Sequence, residues 1–370
     1  MKRVLVTGAA NIGKAGVATI IYKWGQEFDN TVLVYDYLMQ RGLPDRKYQE
    51  KIKEKGGIIY TLPRNQKGIL ATIQWIKSII KENNYQIIHI NSDSAYVAAA
   101  YVYAAKRGGI KTIYVHSHCT QIDDVHIYNR MIKTIIHKMC KPYICYNSKC
   151  YLACSELAGI WMFGKRNVVS DKYYTIYNGV EVEKYLFDFD TRKQYREKLK
   201  LDGKFVIGNI GRFSYQKNHN FLIDVFSKLH KKYSDTVLVL IGTGEYETVI
   251  KEKVKTLNLW ESVVFLGQRD DVPQLLSAMD CLVMPSRFEG LPVTMVEAQM
   301  ADLPCVVSGT ITREAEFTSH VTYISSWNKE EWVEKIYKYK KVERLKNKEE
   351  KQESIFNIKN AVKKLTEILN

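Results

Sequence analysis

The chain lacks any hydrophobic run long enough to cross a membrane. None of its 370 residues belongs to a stretch approaching the ~20 apolar residues that a membrane-spanning helix needs. The first residues are basic, but the apolar stretch behind them reaches Gly8 too soon for the hydrophobic part of a secretory signal. We therefore expect a cytoplasmic protein that approaches the membrane, if at all, as a peripheral protein on its inner face.

Motifs for metals and disulfides are also missing. The seven cysteines are an odd number, and Cys140, Cys145, Cys150 and Cys154 do not form the paired two-residue-gap motifs of a zinc site. Reduced thiols are therefore expected. An Asp-any-Asp pattern occurs at residues 188–190, but it lies between the two halves of the chain and not at the end of a strand. We expect neither a metal ion nor another cofactor.

Acidic residues are scarce in the first half of the chain. Residues 1–175 carry 25 Lys and Arg against 12 Asp and Glu, a net charge of +13, whereas residues 176–370 carry 30 against 28, a net charge of +2. A one-sided basic field suits an anionic membrane surface, a phosphorylated acceptor or nucleic acid. The chain has no zinc-finger spacing, RNA-recognition aromatic motif or basic zipper, so nucleic acid is not expected as a partner.

One segment of the basic half has apolar residues at helical spacing, with Lys and Arg between them. The apolar residues are Ile127, Tyr128, Met131, Ile132, Ile135, Ile136 and Met139. Such a segment is either an interfacial helix on an anionic membrane or an ordinary core-facing helix with a basic exposed face. The pattern alone favours the core-facing helix.

Strand-like and helix-like segments alternate in two series, which predicts an α/β protein with two doubly wound parallel sheets. The first series has strands expected at residues 4–6, 31–35, 58–60, 87–90, 112–116, 153–154 and 175–176. The second has strands expected at residues 205–210, 236–241, 263–266, 281–284 and 304–307. An Asn-Gly turn at residues 178–179 separates the series, and we place the domain boundary between residues 175 and 176.

Two carboxylates flank a predicted strand-to-helix turn at residues 286–298. Glu289 is expected at the strand exit and Glu297 about two turns into the helix, so both are positioned to accept hydrogen bonds from one polyol ligand. Gly290 permits unusual backbone angles and Pro292 suits a first helical turn. The free N–H groups of such a helix start favour an anion such as a diphosphate. A surface loop before an amphipathic helix is the alternative interpretation.

Two cations occupy a second loop of the same kind. A predicted strand ends at Gly211, and Arg212 and Lys217 follow before the next helix. Ligands of open α/β sheets bind at the carboxyl ends of the strands. Arginine binds phosphate with two parallel hydrogen bonds and lysine adds a compact charge, so the pair is suited to stabilise a departing diphosphate without a metal.

With these motifs in place, the chain resembles the retaining family 4 glycosyltransferases of the GT-B fold, in particular the bacterial exopolysaccharide and capsule type. The matching motifs lie in the family's order at residues 116–118, 153–155, 161–164, 176–180, 211–212, 216–218, 242–245, 288–290 and 297. The chain departs from the family at residues 15–18, where an Ala-Gly-Val-Ala run replaces a glycine pair followed by glutamate.

The resemblance implies two Rossmann-like domains that face each other across a cleft. Residues 1–175 would bind the acceptor, residues 176–354 the nucleotide sugar, and a last helix, 355–370, would pack back on the first domain. The implied reaction moves a hexose or N-acetylhexosamine from a nucleotide-diphosphate donor, expected to be a UDP-sugar, to a glycan or polyprenyl-diphosphate-linked acceptor. This reaction serves cell-surface polysaccharide biosynthesis, retains the anomeric configuration and needs no metal. Because related enzymes act on lipid-linked acceptors, the resemblance also implies contact of the basic first domain with an anionic membrane surface.

The resemblance also assigns roles to individual residues. The expected catalytic residues are Arg212, Lys217, Glu289 and His118. The expected donor-binding residues are Gly16, Gly211, Gly242, Gly244, Arg269, Gly290, Leu291 and Glu297, and the expected acceptor-side residues are Gly13 and His116. Of these, Glu297 would hold the ribose hydroxyls, and the turn around Arg269 would form the wall of the base site.

Other functions remain open on the sequence alone. The glycine-containing segment at residues 4–16 is similar to the dinucleotide turn of NAD(P)-dependent short-chain oxidoreductases, although it lacks one of their glycines. The Tyr and Lys pair of those enzymes has only one counterpart, Tyr337 with Lys341, within a charged tail. A non-hydrolysing sugar-nucleotide epimerase and a non-catalytic sugar-binding module are further alternatives.

Overall fold

The computed structural model describes residues 1–13, 15–40, 42–63, 65–344 and 351–370. The chain divides into two compact units, Met1–Gly179 with Ile358–Asn370, and Val180–Asn357. The sequence places this boundary between residues 175 and 176, so the structure assigns the Asn-Gly turn at 178–179 to the first unit.

The first unit contains a seven-stranded sheet in the order β3-β2-β1-β4-β5-β6-β7, and all neighbouring strands are parallel. The strands are β1 (Lys2–Val6), β2 (Leu33–Met39), β3 (Ile59–Thr61), β4 (Ile87–Ser92), β5 (Thr112–Ser117), β6 (Tyr151–Ala153) and β7 (Tyr173–Thr175). The helices are α1 (Gly16–Glu27), α2 (Arg46–Glu54), α3 (Gly68–Asn83), α4 (Ala95–Gly108), α5 (Ile127–Asn147), α6 (Glu156–Phe163) and α7 (Lys165–Val168), with a C-terminal helix, Ile358–Leu369.

The second unit contains a six-stranded sheet in the order β10-β9-β8-β11-β12-β13, again with parallel neighbours throughout. The strands are β8 (Phe205–Ile210), β9 (Thr236–Ile241), β10 (Val263–Gly267), β11 (Cys281–Met284), β12 (Cys305–Ser308) and β13 (Val321–Ile324). The helices are α8 (Val182–Tyr185), α9 (Phe189–Lys198), α10 (His219–Lys232), α11 (Glu247–Thr256), α12 (Val272–Ala278), α13 (Val293–Met300) and α14 (Lys329–Tyr337). The predicted α/β class with two doubly wound parallel sheets is thus confirmed.

Strand β2 is longer than its sequence suggested, because a charged residue lies within it. Asp36 is fully buried in the strand. Its carboxylate accepts hydrogen bonds from Arg3 Nε at 2.8 Å and from the Tyr85 hydroxyl at 2.7 Å. The backbone N–H of Ile58 donates to the same carboxylate at 2.7 Å. These partners compensate the buried charge, so the strand continues to Met39 instead of ending at residue 35.

Strand β13 was not predicted. It is the edge strand of the second sheet, and its residues Val321, Thr322 and Tyr323 are only half-buried. A partly exposed run of four residues has neither the continuous apolar character of a central parallel strand nor a clear alternation.

The C-terminal helix belongs to the first unit. The Tyr114 hydroxyl donates to the carbonyl oxygen of Ile368 at 2.7 Å, and Lys364 Nζ donates to the carbonyl oxygen of Thr175 at 3.0 Å. Its apolar residues Leu365 and Leu369 are fully buried. Among the helices of the described ranges, none has the length and apolar composition to span a membrane.

Each sheet has one place where the strand order reverses direction. In the first unit this switch point lies between β1 and β4, and in the second between β8 and β11. The loops that leave the carboxyl ends of the two strands diverge to opposite sides of the sheet and leave a crevice between them. Open α/β sheets bind their ligands in this crevice.

Candidate functional site

The loops after β8 and β11 meet at the switch point of the second unit. The backbone N–H of Arg287 donates to the carbonyl oxygen of Gln216 at 2.8 Å. In the opposite direction, Gln216 Nε2 donates to the carbonyl oxygen of Phe288 at 2.9 Å. The two predicted motifs, one cationic and one acidic, are therefore held together by hydrogen bonds.

Lys217 and Glu289 form a largely buried ion pair at this junction. Lys217 Nζ lies 2.7 Å from Glu289 Oε1, and the two side chains are 17% and 7% exposed. The second carboxylate oxygen, Oε2, accepts from Gln216 Nε2 at 3.2 Å. A buried carboxylate is costly without such partners, so the pair fixes both side chains at the loop junction. Each oxygen of a carboxylate such as that of Glu289 can accept more than one hydrogen bond.

Arg212 lies in a different environment from Lys217, although both belong to the loop after β8. Its side chain is 60% exposed, and its guanidinium group lies 3.8 Å from the exposed carboxylate of Glu245. A surface ion pair at this distance contributes little to stability. Arg212 is thus a solvent-accessible cation, whereas Lys217 is held in a largely buried ion pair.

Three of the predicted glycines allow the loops to pack closely. A Cβ atom at Gly242 would overlap the carbonyl oxygen of Gly211, and Gly242 has a φ of +129°. A Cβ at Gly244 would overlap the backbone of Phe213, and one at Gly211 would lie 3.0 Å from Lys217 Cε. These glycines therefore have a structural role in bringing the loops after β8 and β9 together.

Glu297 lies in the second turn of α13, and its carboxylate accepts a hydrogen bond from a residue 112 positions away in the sequence. The Tyr185 hydroxyl, in α8, donates to Glu297 Oε1 at 2.6 Å. Burial of Tyr185, together with the neighbouring negative charge, raises the pKa of this hydroxyl above its usual range, so it remains a donor. The carboxylate is held by a protein hydroxyl in one orientation.

The side chain of Arg269 is occupied by a neighbouring carboxylate. Its Nε and Nη2 atoms donate to the two oxygens of Asp271 at 2.7 and 2.5 Å. The Tyr195 hydroxyl donates to Asp271 as well, at 3.0 Å. The Arg269 guanidinium lowers the pKa of the Asp271 carboxyl. The backbone N–H of Gly242 donates to the carbonyl oxygen of Gly267 at 2.8 Å, which joins this turn to the loop after β9. Because the Arg269 side chain is occupied, the turn would contact a ligand through its backbone atoms.

Gly290 and Leu291 lie between Glu289 and the start of α13. Leu291 is 5% exposed, so its side chain packs inside the unit. Helix α13 begins at Val293 after Pro292, and the first N–H groups of a helix have no acceptor within the helix itself. The predicted helix start close to Glu289 in sequence is thus present, and its binding of an anion stays a prediction.

In the first unit, His116 and His118 belong to a buried aromatic cluster. Their rings stack with centroids 4.3 Å apart, and Trp24 stacks on His116 at 5.4 Å. His89 extends the cluster, with its Nε2 atom 3.2 Å from His116 Nδ1. His116 is fully buried and His118 is 6% exposed. Of the two predicted histidines, His118 is therefore the nearer to solvent.

Burial keeps these histidines neutral. Desolvation lowers the pKa of His118 to about 3 and lowers that of His116 well below its usual value. His118 Nε2 lies 2.8 Å from Asn91 Oδ1, and Asn91 Nδ2 donates to Thr7 O at 3.2 Å. Since Asn91 Oδ1 only accepts, the proton of neutral His118 lies on Nε2, and Nδ1 carries a lone pair.

The two predicted glycines of the first unit differ. Gly13 has a φ of +80°, and a Cβ there would lie 2.5 Å from the Tyr48 hydroxyl oxygen, so packing within the protein requires a glycine. Gly16 begins α1, and a Cβ there would have no protein atom within 4 Å. Nothing in the described part of the protein therefore requires glycine at position 16.

Several residues of the site were not predicted as such. Gln216 had a signal, because it lies in the cationic motif beside Lys217, and Asn91 lies at the carboxyl end of β4, where ligand-binding residues concentrate. Tyr185 had none, since it lies 112 positions from Glu297. In the described residues, no group of three or more His, Cys, Asp and Glu has a geometry that could hold a metal ion.

Two family sequence models match this chain. Residues 16–184 match the family described as "Glycosyltransferase Family 4", and residues 191–355 match "Glycosyl transferases group 1". The two matches follow one another and correspond closely to the two structural units.

Curated relatives are similar over two thirds or more of the chain. EpsF of Bacillus subtilis (strain 168), named as a glycosyltransferase, is 29% identical over 322 residues, which cover 85% of this chain and 81% of EpsF. A second relative is UDP-Gal:alpha-D-GlcNAc-diphosphoundecaprenol alpha-1,3-galactosyltransferase of Escherichia coli. It is 28% identical over 264 residues, covering 67% of this chain and 64% of that enzyme.

Solved structures share the fold. HepE of Anabaena, in complex with UDP and glucose, superposes with a TM-score of 0.76 at 16% identity, covering 100% of this chain and 99% of HepE. Sucrose-phosphate synthase of Thermosynechococcus elongatus gives a TM-score of 0.78 at 15% identity, covering 100% of this chain and 98% of that one. At these identities the likeness concerns the fold.

Proposed function

Because this chain belongs to glycosyltransferase family 4 and has the GT-B fold, we propose that it transfers a hexose or N-acetylhexosamine from a UDP-sugar with retention of configuration. The acceptor is a hydroxyl of a glycan or of a polyprenyl-diphosphate-linked oligosaccharide, and the product serves cell-surface polysaccharide biosynthesis. The reaction uses protein cations and no metal ion.

The buried pair of Lys217 and Glu289 carries this proposal. It joins a cation and a carboxylate at 2.7 Å at the switch point of the second sheet, where α/β proteins bind ligands. The carboxylate suits the hydroxyls of a sugar, and the lysine suits the phosphate that leaves it. Neither a surface loop nor a purely structural turn requires a buried charge pair in this place.

The UDP donor is supported by the names of similar proteins. The Escherichia coli relative is named as a galactosyltransferase that uses UDP-Gal and a diphosphoundecaprenol-linked acceptor. The structural neighbour HepE has been solved with UDP-glucose as well as with UDP. In the present chain, Glu297 would accept hydrogen bonds from the ribose, and the turn containing Arg269 would lie against the base.

In the proposed chemistry, the bond between the anomeric carbon and the diphosphate oxygen breaks while the acceptor oxygen forms a bond on the same face. The acceptor proton passes to the departing phosphate oxygen. Lys217 and Arg212 stabilise the negative charge of the leaving diphosphate, an electrostatic contribution that is often the largest in catalysis. Arg212 belongs to the same loop as Lys217, and its exposed guanidinium group is the one proposed to contact the phosphates from the solvent side.

The first unit would supply His118 to the transferred sugar. Neutral His118, with its proton fixed on Nε2 by Asn91, offers the lone pair of Nδ1 to a sugar hydroxyl. His116 supports it by stacking from a fully buried position. Gly13 lies in the loop after β1 and Gly16 begins α1, at the switch point of this unit; their proposed roles are on the acceptor side for Gly13 and on the donor side for Gly16.

The oxidoreductase alternative receives no support from the position of its required tyrosine. Tyr337 ends α14 in the second unit, whereas the glycine-containing turn lies in the first. Its ring stacks on Tyr233 with centroids 3.4 Å apart, and its hydroxyl accepts a hydrogen bond from Lys340 at 3.3 Å. A tyrosine in such packing is a structural residue.

The proposal is tested by incubating the purified protein with a panel of nucleotide sugars and with NAD(P), each with and without EDTA. We expect one UDP-sugar to raise the melting temperature and to release UDP slowly, with equal rates in EDTA. A response to NAD(P) alone would overturn the transferase, and loss of release in EDTA would overturn metal independence. The Glu289→Gln variant serves as the control for contaminating hydrolases.

A further inference from the structure

Helix α5 is amphipathic, but its apolar side faces away from the core, which is the reverse of a typical surface helix in a globular protein. Such a helix normally directs its apolar stripe to the core and its polar residues to solvent. Of the 21 residues of α5, only His137 and Ile144 are buried. The sequence pattern favoured a core-facing helix, and the structure contradicts that interpretation.

The inner face of α5 includes Ile144, which packs in the core, and His137, whose two ring nitrogens are both hydrogen-bonded. His137 Nδ1 accepts a hydrogen bond from the backbone N–H of Ala95 at 2.9 Å, and Nε2 donates to the carbonyl oxygen of Trp161 at 2.9 Å. The His137 ring also stacks on Trp161 with centroids 3.8 Å apart. These contacts hold α5 against α4 and α6, so its orientation is set by specific bonds.

The outer face carries a continuous apolar stripe. Its members are exposed by between 39% and 89%: Ile127, Tyr128, Met131, Ile132, Ile135, Ile136, Met139, Tyr143 and Tyr146. Residues recurring at intervals of three and four lie along one side of a helix. A helix of 21 residues is about 30 Å long, so the stripe is a large apolar surface of a kind that marks an interaction site.

The charged side chains of helix α5 itself are of one sign. Helix α5 contains no Asp or Glu, while Lys138 is exposed on it and Lys133 is 43% exposed beside Asp124. Arg107 of α4 is exposed next to Tyr103 and carries a further positive charge. Residues 1–175 as a whole have a net charge of +13. A complementary partner therefore has an anionic outer layer and an apolar layer beneath it.

We propose that α5 binds the surface of an anionic lipid bilayer, lying in the plane of the interface with its apolar stripe in the acyl boundary. Isoleucine and methionine side chains enter the apolar layer, and the cations contact anionic headgroups. The tyrosines Tyr128, Tyr143 and Tyr146 lie near the two ends, where an apolar ring with a polar tip suits the interface. This would make the protein a peripheral membrane protein.

Membrane binding would add to the proposed function, because it gives the enzyme a way to reach a lipid-linked acceptor. A polyprenyl-diphosphate acceptor presents its sugar at the membrane surface, so docking through the first unit would bring the enzyme to its substrate. Only the purpose of membrane binding, and not the binding itself, rests on the proposed function. Its test measures vesicle binding without sugar transfer, so that either proposal can fail alone.

The experiment is co-sedimentation of the full chain with vesicles of phosphatidylcholine alone and with vesicles of equal parts phosphatidylcholine and phosphatidylglycerol. We expect binding to the anionic vesicles, and a reduction of about tenfold or more in the double variant Ile132→Ser, Ile135→Ser, which removes apolar contact without touching the core. Lys138→Glu should weaken binding to anionic vesicles.

The matched control is the double variant Ile69→Ser, Leu70→Ser in α3. These residues are 51% and 74% exposed in the same unit, but lie outside the stripe. Equal loss in both double variants, no effect of the α5 variant, or no binding of the unmodified protein would each overturn the proposal. A dimer in light scattering that the α5 variant dissociates, without vesicle binding, would assign the stripe to a second copy of the chain instead.

Discussion

The Tyr185 hydroxyl lies 2.6 Å from Glu297 Oε1, which joins the first helix of the second unit to the helix that starts beside Glu289. Tyr185 is 7% exposed, so the hydrogen bond is shielded from water. A hydrogen bond to a charged group in such surroundings is stronger than one between neutral groups. Tyr185 is therefore a positioning residue for the carboxylate proposed to bind the ribose.

Replacing Tyr185 with Phe should raise KM for the nucleotide sugar by about five- to tenfold while changing kcat little. The carboxylate of Glu297 loses its fixed orientation, and a hydrogen bond to a charged group is worth about 1.5–3 kcal/mol, of which part is expressed in binding. Steady-state kinetics with varied donor concentration would measure both constants.

Tyr339→Phe is a suitable control for this variant. Tyr339 is buried in the same unit, and its hydroxyl lies 2.8 Å from Thr322 Oγ1. It should lose stability to a similar extent without a change in KM. An equal rise of KM in both variants would assign the effect to general loosening of the unit, and the positioning role of Tyr185 would be wrong.

Glu289→Gln should lower the rate of transfer by about 10²- to 10³-fold, as expected when a preorganised group of an active site is lost. The amide keeps the shape of the side chain but no longer pairs with Lys217. The ion pair is largely buried, so some loss of stability is expected beside the loss of activity. Initial rates and melting temperatures should be measured on the same preparation.

Glu245→Gln supplies the comparison for the loss of a negative charge from the same unit. Glu245 is 55% exposed and 3.8 Å from Arg212, so its removal should leave the melting temperature nearly unchanged and the rate within a few-fold. Retention of full activity by Glu289→Gln would remove Glu289 from the catalytic site.

The alternation of buried strands and helices was sufficient to predict both sheets. Parallel strands such as β9 are buried on both faces and are encoded by continuous apolar runs, here Thr236–Ile241. The edge strand β13 and the extension of β2 through Asp36 were missed. Both depend on contacts with distant residues, which local composition does not encode.

The same division applies to the site. The resemblance to family 4 implied that Lys217 and Glu289 serve one nucleotide-sugar donor, and the structure brings their two loops together. Their direct pairing was not predicted. The hydrogen bonds of Tyr185 to Glu297 and of His118 to Asn91 join residues 112 and 27 positions apart, and no short-range pattern predicts either.

Gly16→Ala should weaken donor binding without destabilising the protein. A Cβ at this position meets no protein atom within 4 Å, and alanine is favoured over glycine by up to about 1 kcal/mol in a helix. Any loss of affinity for the nucleotide sugar would then come from contact between the new methyl group and the ligand. Thermal unfolding without ligand and titration with the donor separate the two effects.

Gly13→Ala provides the contrast. Its φ of +80° and the approach to Tyr48 make alanine strained there, so we expect a loss of about 1–3 kcal/mol in stability even without ligand. Unchanged donor affinity in Gly16→Ala would show that position 16 does not face the donor, and would remove it from the donor-binding residues.

The buried histidines should make the first unit less stable as the pH falls. Desolvation lowers the pKa of His89 and of His118 to about 3, and that of His137 to about 4, whereas an unfolded histidine titrates near pH 6.5. Below that pH the unfolded chain binds protons that the folded unit does not, so the free energy of unfolding decreases. The stabilisation is complete above pH 6.5 and is progressively lost between pH 6.5 and about pH 3.

Urea unfolding at pH 7.5, 6.5 and 5.5 would measure this effect before most carboxylates titrate. Each of these histidines should remove on the order of 1 kcal/mol between the first and last pH, because one pKa unit corresponds to about 1.4 kcal/mol. A free energy of unfolding that is constant over this range would mean that the cluster accepts protons in the folded state, so that His118 would no longer be a fixed neutral acceptor.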